Sequence, residues 1–128
     1  MTPDLKYLVW SAALTLVQAV ISVLGAIQVV GLATLAANRE NMSPIEDWAG
    51  RAQRAHRNML ESLVLFAIVI LVAQVAGRAN ATTAMGAMIF FWARVVYAGV
   101  YLAGIPWLRT AVWGVSIVGL AMIFSQLL

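Results

Sequence analysis

The sequence contains no cysteine. That excludes a disulfide framework, a thiolate metal site and a protein thiol nucleophile. Histidine occurs once, at position 56, and neither HxxxH nor CxxC spacing is present, so no metal site is expected. Charge is scarce as well: 10 % of the 128 residues are Asp, Glu, Lys or Arg, against about a quarter in soluble domains. Too little polar surface remains to cover an ordinary soluble domain. Disorder needs low hydrophobicity and high charge, and here 63 % of residues are hydrophobic.

What is present is long uncharged runs. Between Lys6 and Arg39 only Tyr7 is ionisable, and further uncharged runs lie between Glu61 and Arg78, between Arg78 and Arg94, and from Arg109 to the C-terminus. A spanning helix needs about 20 mostly apolar residues to cross roughly 30 Å of hydrocarbon. The first and last runs meet this alone. The second meets it with Asn58 and Glu61 at the membrane edge. The third meets it only with Arg94 inside the helix, as a span of about Thr82–Leu102. Backbone groups in lipid must be paired within their own segment, which favours helices, and the even alternation of a β-barrel is absent. The expected fold is an all-α, four-transmembrane-helix bundle. It forms a single domain over 1–128, with helices over about 5–37, 44–76, 81–103 and 107–127. The first apolar run is about twice as long as that of a secretory signal, so it is read as a span rather than a cleaved leader.

Local signals place the helix ends. Thr2 with Pro3, and Asn80, suit helix starts. Ser43, Pro44 and Glu46 have the spacing of a capping box, which predicts that the second helix begins near Pro44, well before its apolar part. Gly77 to Asn80 and Gly104 to Pro106 make short links, favouring antiparallel neighbours. Eight basic and five acidic residues give a net charge of +3, read here as membrane topology rather than as a nucleic-acid footprint. Arg39, Arg51, Arg54, Arg57 and Arg109 fall on one side, Lys6 and Arg78 on the other. The positive-inside rule then puts the helix 1–2 and 3–4 loops in the cytoplasm and both termini opposite.

Three helices carry polar groups to one membrane depth. Arg51, Arg54, Asn58 and Glu61 share a face of the second helix, with Arg57 beside it. Arg94, Tyr97 and Tyr101 form a stripe on the third. Pro106 opens the fourth, and Arg109 and Thr110 follow where helix N–H groups and the dipole favour an anion. Blander readings stand beside these. Arg51, Arg57 and Arg109 also suit topology anchors, Tyr101 an interfacial belt residue, and Arg94 with Glu61 an ion pair that only holds helices together. As a set, the groups suit a small polyanionic ligand: Arg recognises carboxylates through a fork of donors, and Glu61 suits an ammonium group. Burial of Arg94 in only four helices also points to a homo-oligomer.

The stretch Arg54-Ala55-His56-Arg57-Asn58-Met59-Leu60-Glu61 resembles the R-x-x-R-N-x-x-E signature of the membrane-associated proteins in eicosanoid and glutathione metabolism, the MAPEG family. Arg94 to Tyr101 is similar to that family's Arg-containing segment ending in Tyr. The resemblance covers nearly the whole chain and is of the bacterial, microsomal glutathione transferase-like type, which implies a bacterial inner-membrane protein. It implies a homotrimer with glutathione as thiol co-substrate, bound between subunits at the cytoplasmic face. Arg54, Arg57, Asn58, Glu61, Arg94, Tyr97 and Tyr101 would bind the peptide. Arg109, with Thr110 beside it, would activate the thiol. The implied activity is transfer of glutathione to lipophilic electrophiles, or reduction of lipid hydroperoxides, with the lipophilic substrate entering from membrane lipid. The alternative is a non-enzymatic trimer that binds a lipid or a partner membrane protein. No nucleic-acid partner is expected.

Overall fold

The computed structural model describes residues 1–39 and 42–128. Five helices follow in order: α1 (Pro3–Val30), α2 (Leu32–Ala36), α3 (Asp47–Val75), α4 (Ala81–Ala103) and α5 (Pro106–Leu127). All but the short α2 are long and apolar enough to cross a membrane. The chain is an integral membrane protein built as a helical bundle.

The ends of the helices follow local chemistry. The Thr2 hydroxyl accepts the Leu5 N–H at 3.4 Å, and Pro3 occupies the first turn, where its missing N–H is not needed. Asn80 caps α4 by accepting the N–H groups of Thr82 and Thr83, while the Thr83 hydroxyl accepts the Asn80 N–H at 2.8 Å. α3 ends in a Schellman arrangement: Gly77 takes φ 70°, and the Arg78 N–H reaches the Ala73 carbonyl at 2.8 Å.

Two expected helix boundaries are corrected. The helix expected over 5–37 is interrupted at Gly31, where φ is 86°, a conformation only glycine adopts freely; the five-residue α2 follows the break. The capping box at Ser43 is not formed either. α3 starts at Asp47, with Glu46 extended at its cap position and no side-chain cap bond. The physical reason is Ile45. It is buried in a small cluster with Ala26, Leu35 and Ala49, and this holds the chain extended past Pro44. Its carbonyl oxygen lies so close to Gly50 that a Cβ there would collide with it.

The apolar core lies between α3, α4 and α5. Phe66 and Phe90 stack with ring centroids 4.1 Å apart, and Met59, Ile70, Ala87 and Ile123 close around them without exposure. α4 and α5 meet backbone to backbone. A Cβ on Gly86 would sit 2.6 Å from the Gly119 carbonyl oxygen, and one on Gly119 2.7 Å from that of Gly86. Small residues allow such contact, the usual solution in lipid, where no water is released by association. At one end of this pair, the Asn80 amide donates to the Gln126 side chain at 2.8 Å.

α1 is packed the other way round from a soluble helix. Its buried residues are Asp4, Ser11, Thr15, Gln18, Ser22, Gly25 and Ala26, while Leu16, Val17, Val20, Val23 and Leu24 are exposed. Leu5, Leu8 and Leu14 pack partly against the core, but the most fully buried positions of this helix are small or polar. Thr15 returns its proton to the Ser11 carbonyl at 2.8 Å, which removes one buried donor from the account.

Candidate functional site

The sequence places Arg51, Arg54, Asn58 and Glu61 on one helical face, and the structure sends them to four destinations. The Arg51 Nε donates to the Leu102 carbonyl at 3.0 Å. It satisfies one of the carbonyls left open at the end of α4 and ties α3 to the turn leading into α5. The Arg54 Nε donates to the Tyr101 hydroxyl at 3.2 Å. Asn58 Oδ1 accepts from an Arg94 Nη at 2.7 Å. Glu61 points outward and is exposed, as is Arg57.

Arg94 sits in the middle of α4 and is 1 % exposed. The ion pair with Glu61 considered from the sequence is not formed. A charge-assisted bond to Asn58 replaces it, and the guanidinium lies 4.1 Å from the centre of the Tyr97 ring. An amide oxygen and a π face supply partial negative charge without burying a second ion, whose desolvation would add to that of the first. The Nε and the other Nη of Arg94 have no partner among the described residues.

Above this layer, Tyr97 and Tyr101 meet edge to face with centroids 5.6 Å apart, and the Arg109 guanidinium lies 4.7 Å from the Tyr101 ring. Tyr101 therefore lies between Arg54 of α3 and Arg109 of α5. A cleft of about 160 Å³ opens here, lined by Asn58, Tyr97, Arg109, Thr110 and Trp113. The Thr110 hydroxyl donates to the Pro106 carbonyl at 3.2 Å. Among the described residues no carboxylate pairs with any of these guanidiniums. Arg109 and the first turn of α5 line this cleft, while Arg94 lies buried behind Tyr97 and Arg54 meets Tyr101 beside it, an arrangement that offers positive charge to an anion.

Of the residues singled out from the sequence, the structure brings together Arg54, Asn58, Arg94, Tyr97, Tyr101, Arg109 and Thr110. It does not bring Arg57 or Glu61 into the cleft of the single chain. Trp113, which the sequence reading does not single out, also lines the cleft; its place one turn beyond Arg109 is the signal that points there. Arg51 serves the α4 end rather than the cleft.

Four membrane-spanning helices with arginines from three of them meeting tyrosines at one end define a class: helical integral membrane proteins with a cluster of arginine and tyrosine. The chain belongs to the MAPEG family, whose model matches residues 7–128. No curated protein and no solved structure shows a significant match to it.

Proposed function

We propose that the chain is a membrane-bound, glutathione-dependent transferase or peroxidase acting on lipophilic electrophiles or lipid hydroperoxides. The observation that carries this reading is a cleft lined by Asn58, Tyr97, Arg109 and Thr110, with Arg94 against Tyr97 and Arg54 and Arg109 against Tyr101, and no carboxylate pairing any of the three arginines among the described residues. Glutathione brings two carboxylates to such a site. Its thiol has an ordinary pKa of about 8.5 and reacts as the thiolate. Arg109 and the α5 N-terminus stabilise that thiolate; lowering its pKa by one unit takes about 1.4 kcal/mol. Arg54, Asn58 and Tyr101 hold the peptide. In transfer, the thiolate forms a C–S bond and the leaving group departs with its electron pair. In peroxide reduction, two glutathiones become the disulfide while the hydroperoxide becomes an alcohol and water.

Size supports a shared site. Small-molecule pockets run from about 300 to 1,000 Å³, and the cleft of one chain has about 160 Å³. A neighbouring subunit of a homotrimer completes it, and the outward Arg57 and Glu61 of α3 meet the ligand or the neighbour there. The cleft faces the cytoplasm of a bacterial inner membrane, and the electrophile arrives laterally from lipid. The protein contributes no thiol, so the nucleophile is that of glutathione.

Glutathione titrated onto the purified protein is expected to raise its melting temperature by mass action. The complex is expected to conjugate glutathione to an aryl halide, with Arg57→Ala and Arg109→Ala as controls. A melting temperature indifferent to glutathione overturns the proposal and favours a lipid- or partner-binding trimer.

A further inference from the structure

Arg94 is placed where it can act on the cleft only through another residue. It does not line the cleft. It lies behind Tyr97, whose ring centre is 4.1 Å from the guanidinium and which is itself 4 % exposed. Its Nε and one Nη are sealed from solvent and have no partner among the described residues. The other Nη donates to Asn58 Oδ1 at 2.7 Å.

What that bond does to Asn58 follows from donor and acceptor chemistry. A carboxamide has an oxygen that accepts and an NH2 that donates, and a half-turn of the last torsion exchanges the two ends. A guanidinium has five donors and no acceptor. Beside Arg94, therefore, only the oxygen can turn inward. Asn58 is half-buried and lines the cleft. With its oxygen committed to Arg94, the Nδ2, which donates to no described residue and is not sealed off, is the end left for a ligand. Tyr101 repeats the pattern beside it: its oxygen accepts from the Arg54 Nε at 3.2 Å, which leaves its own proton to donate. Asn58, Tyr101 and Arg109 then all offer hydrogens, the complement of a carboxylate.

We infer that Arg94 is a positioning residue: it locks the Asn58 carboxamide with its NH2 toward the cleft, so that α3 offers a hydrogen-bond donor to a carboxylate of the bound thiol peptide. A reversed amide would set an oxygen against that anion. The ligand rests on the glutathione reading, whereas the locked amide is a property of the free protein.

The test follows the Asn58 side-chain amide by NMR in full-length protein carrying isotope-labelled asparagine; its resonance pair is the one lost in Asn58→Asp. In the ligand-free wild type, nitrogen relaxation is expected to report an amide more rigid than that of the exposed Asn38. Arg94→Met is expected to make it mobile, and Arg94→Lys, which keeps a donor-only side chain, to hold it. Glutathione is then titrated by calorimetry. Arg94→Met is expected to weaken it about tenfold, the scale of one hydrogen bond, while turnover at saturating glutathione changes little. Asn58→Asp keeps an acceptor for Arg94 but replaces the NH2 with a second oxygen. It is expected to melt no lower than the wild type and to lose at least about tenfold in affinity, which covers an Arg94→Met variant that fails to fold. A wild-type amide as mobile as that of Asn38, unchanged affinity in Arg94→Met, or an Asn58→Asp variant that binds like the wild type overturns the inference. A wild type that ignores glutathione overturns the functional reading instead, and relaxation in the free protein then decides the locked amide alone.

Discussion

Asn58→Leu is the most direct test of how the bundle tolerates Arg94. The substitution keeps a side chain of similar size but removes the oxygen that accepts from the guanidinium at 2.7 Å. Arg94 is 1 % exposed and two of its nitrogens already lack partners. The variant therefore leaves a buried cation with only the Tyr97 ring beside it. A hydrogen bond to a charged group contributes about 1.5–3 kcal/mol, so a loss of about 2 kcal/mol is expected. With an unfolding entropy near 2.1 cal/mol/K per residue, that corresponds to a fall in melting temperature of roughly 5–10 °C for a chain of this length. The assay is thermal unfolding of the protein in nanodiscs, followed by tryptophan fluorescence. The double variant Asn58→Leu with Arg94→Met removes the stranded charge and is expected to recover much of the loss, because a buried ion can often be replaced by an apolar side chain without net destabilisation. If Asn58→Leu melts with the wild type, or if the double variant is less stable than Asn58→Leu alone, the account of Arg94 is refuted.

Arg109→Ala is expected to raise the pKa of bound glutathione's thiol by about one unit toward its free value. The thiolate fraction near neutral pH then falls about tenfold and the activity profile moves to higher pH, which the ultraviolet thiolate band and a pH–rate profile both read. Binding of glutathione should fall less than thiolate formation. Gly86→Ala sets a Cβ against the Gly119 carbonyl and is expected to destabilise the α4–α5 pair by about 1–3 kcal/mol, measured by thermal unfolding. Asn80→Ala removes the cap of α4 and is expected to lower stability by about 1 kcal/mol, read the same way. Arg51→Ala frees the Leu102 carbonyl and is expected to lower activity while changing the melting temperature little, because it loosens the turn that leads to Arg109.

The spans were legible because charge interrupts them: in hydrocarbon a charged residue must be placed, and its position marks an edge or a buried partner. The Asn80 cap was legible because its partners are local. The Ser43 box had the same local spacing, yet burial of Ile45 against α1 and α2 outweighs it, and a sequence window does not contain that contact. The destinations of Arg51, Arg54 and Asn58 were hidden for a related reason. Helical spacing says which residues share a face, but a long side chain on that face can reach α4 at different heights. The choice of Asn58 over Glu61 for Arg94 depends on the rotation of α3 against α4, which the packing of Phe66 on Phe90 decides. The Gly31 break looked like one more small residue in an apolar run, since nothing nearby in the sequence announces its positive φ.

The inward hydroxyls and outward aliphatics of α1 bear on how the protein survives purification. Dehydration contributes little to holding this helix, since its most fully buried positions are small or polar. Surrounding acyl chains and close steric fit hold it instead. Short-chain surfactants that wedge between helices should peel α1 from the assembly first, while α4 and α5, locked glycine to glycine, stay joined.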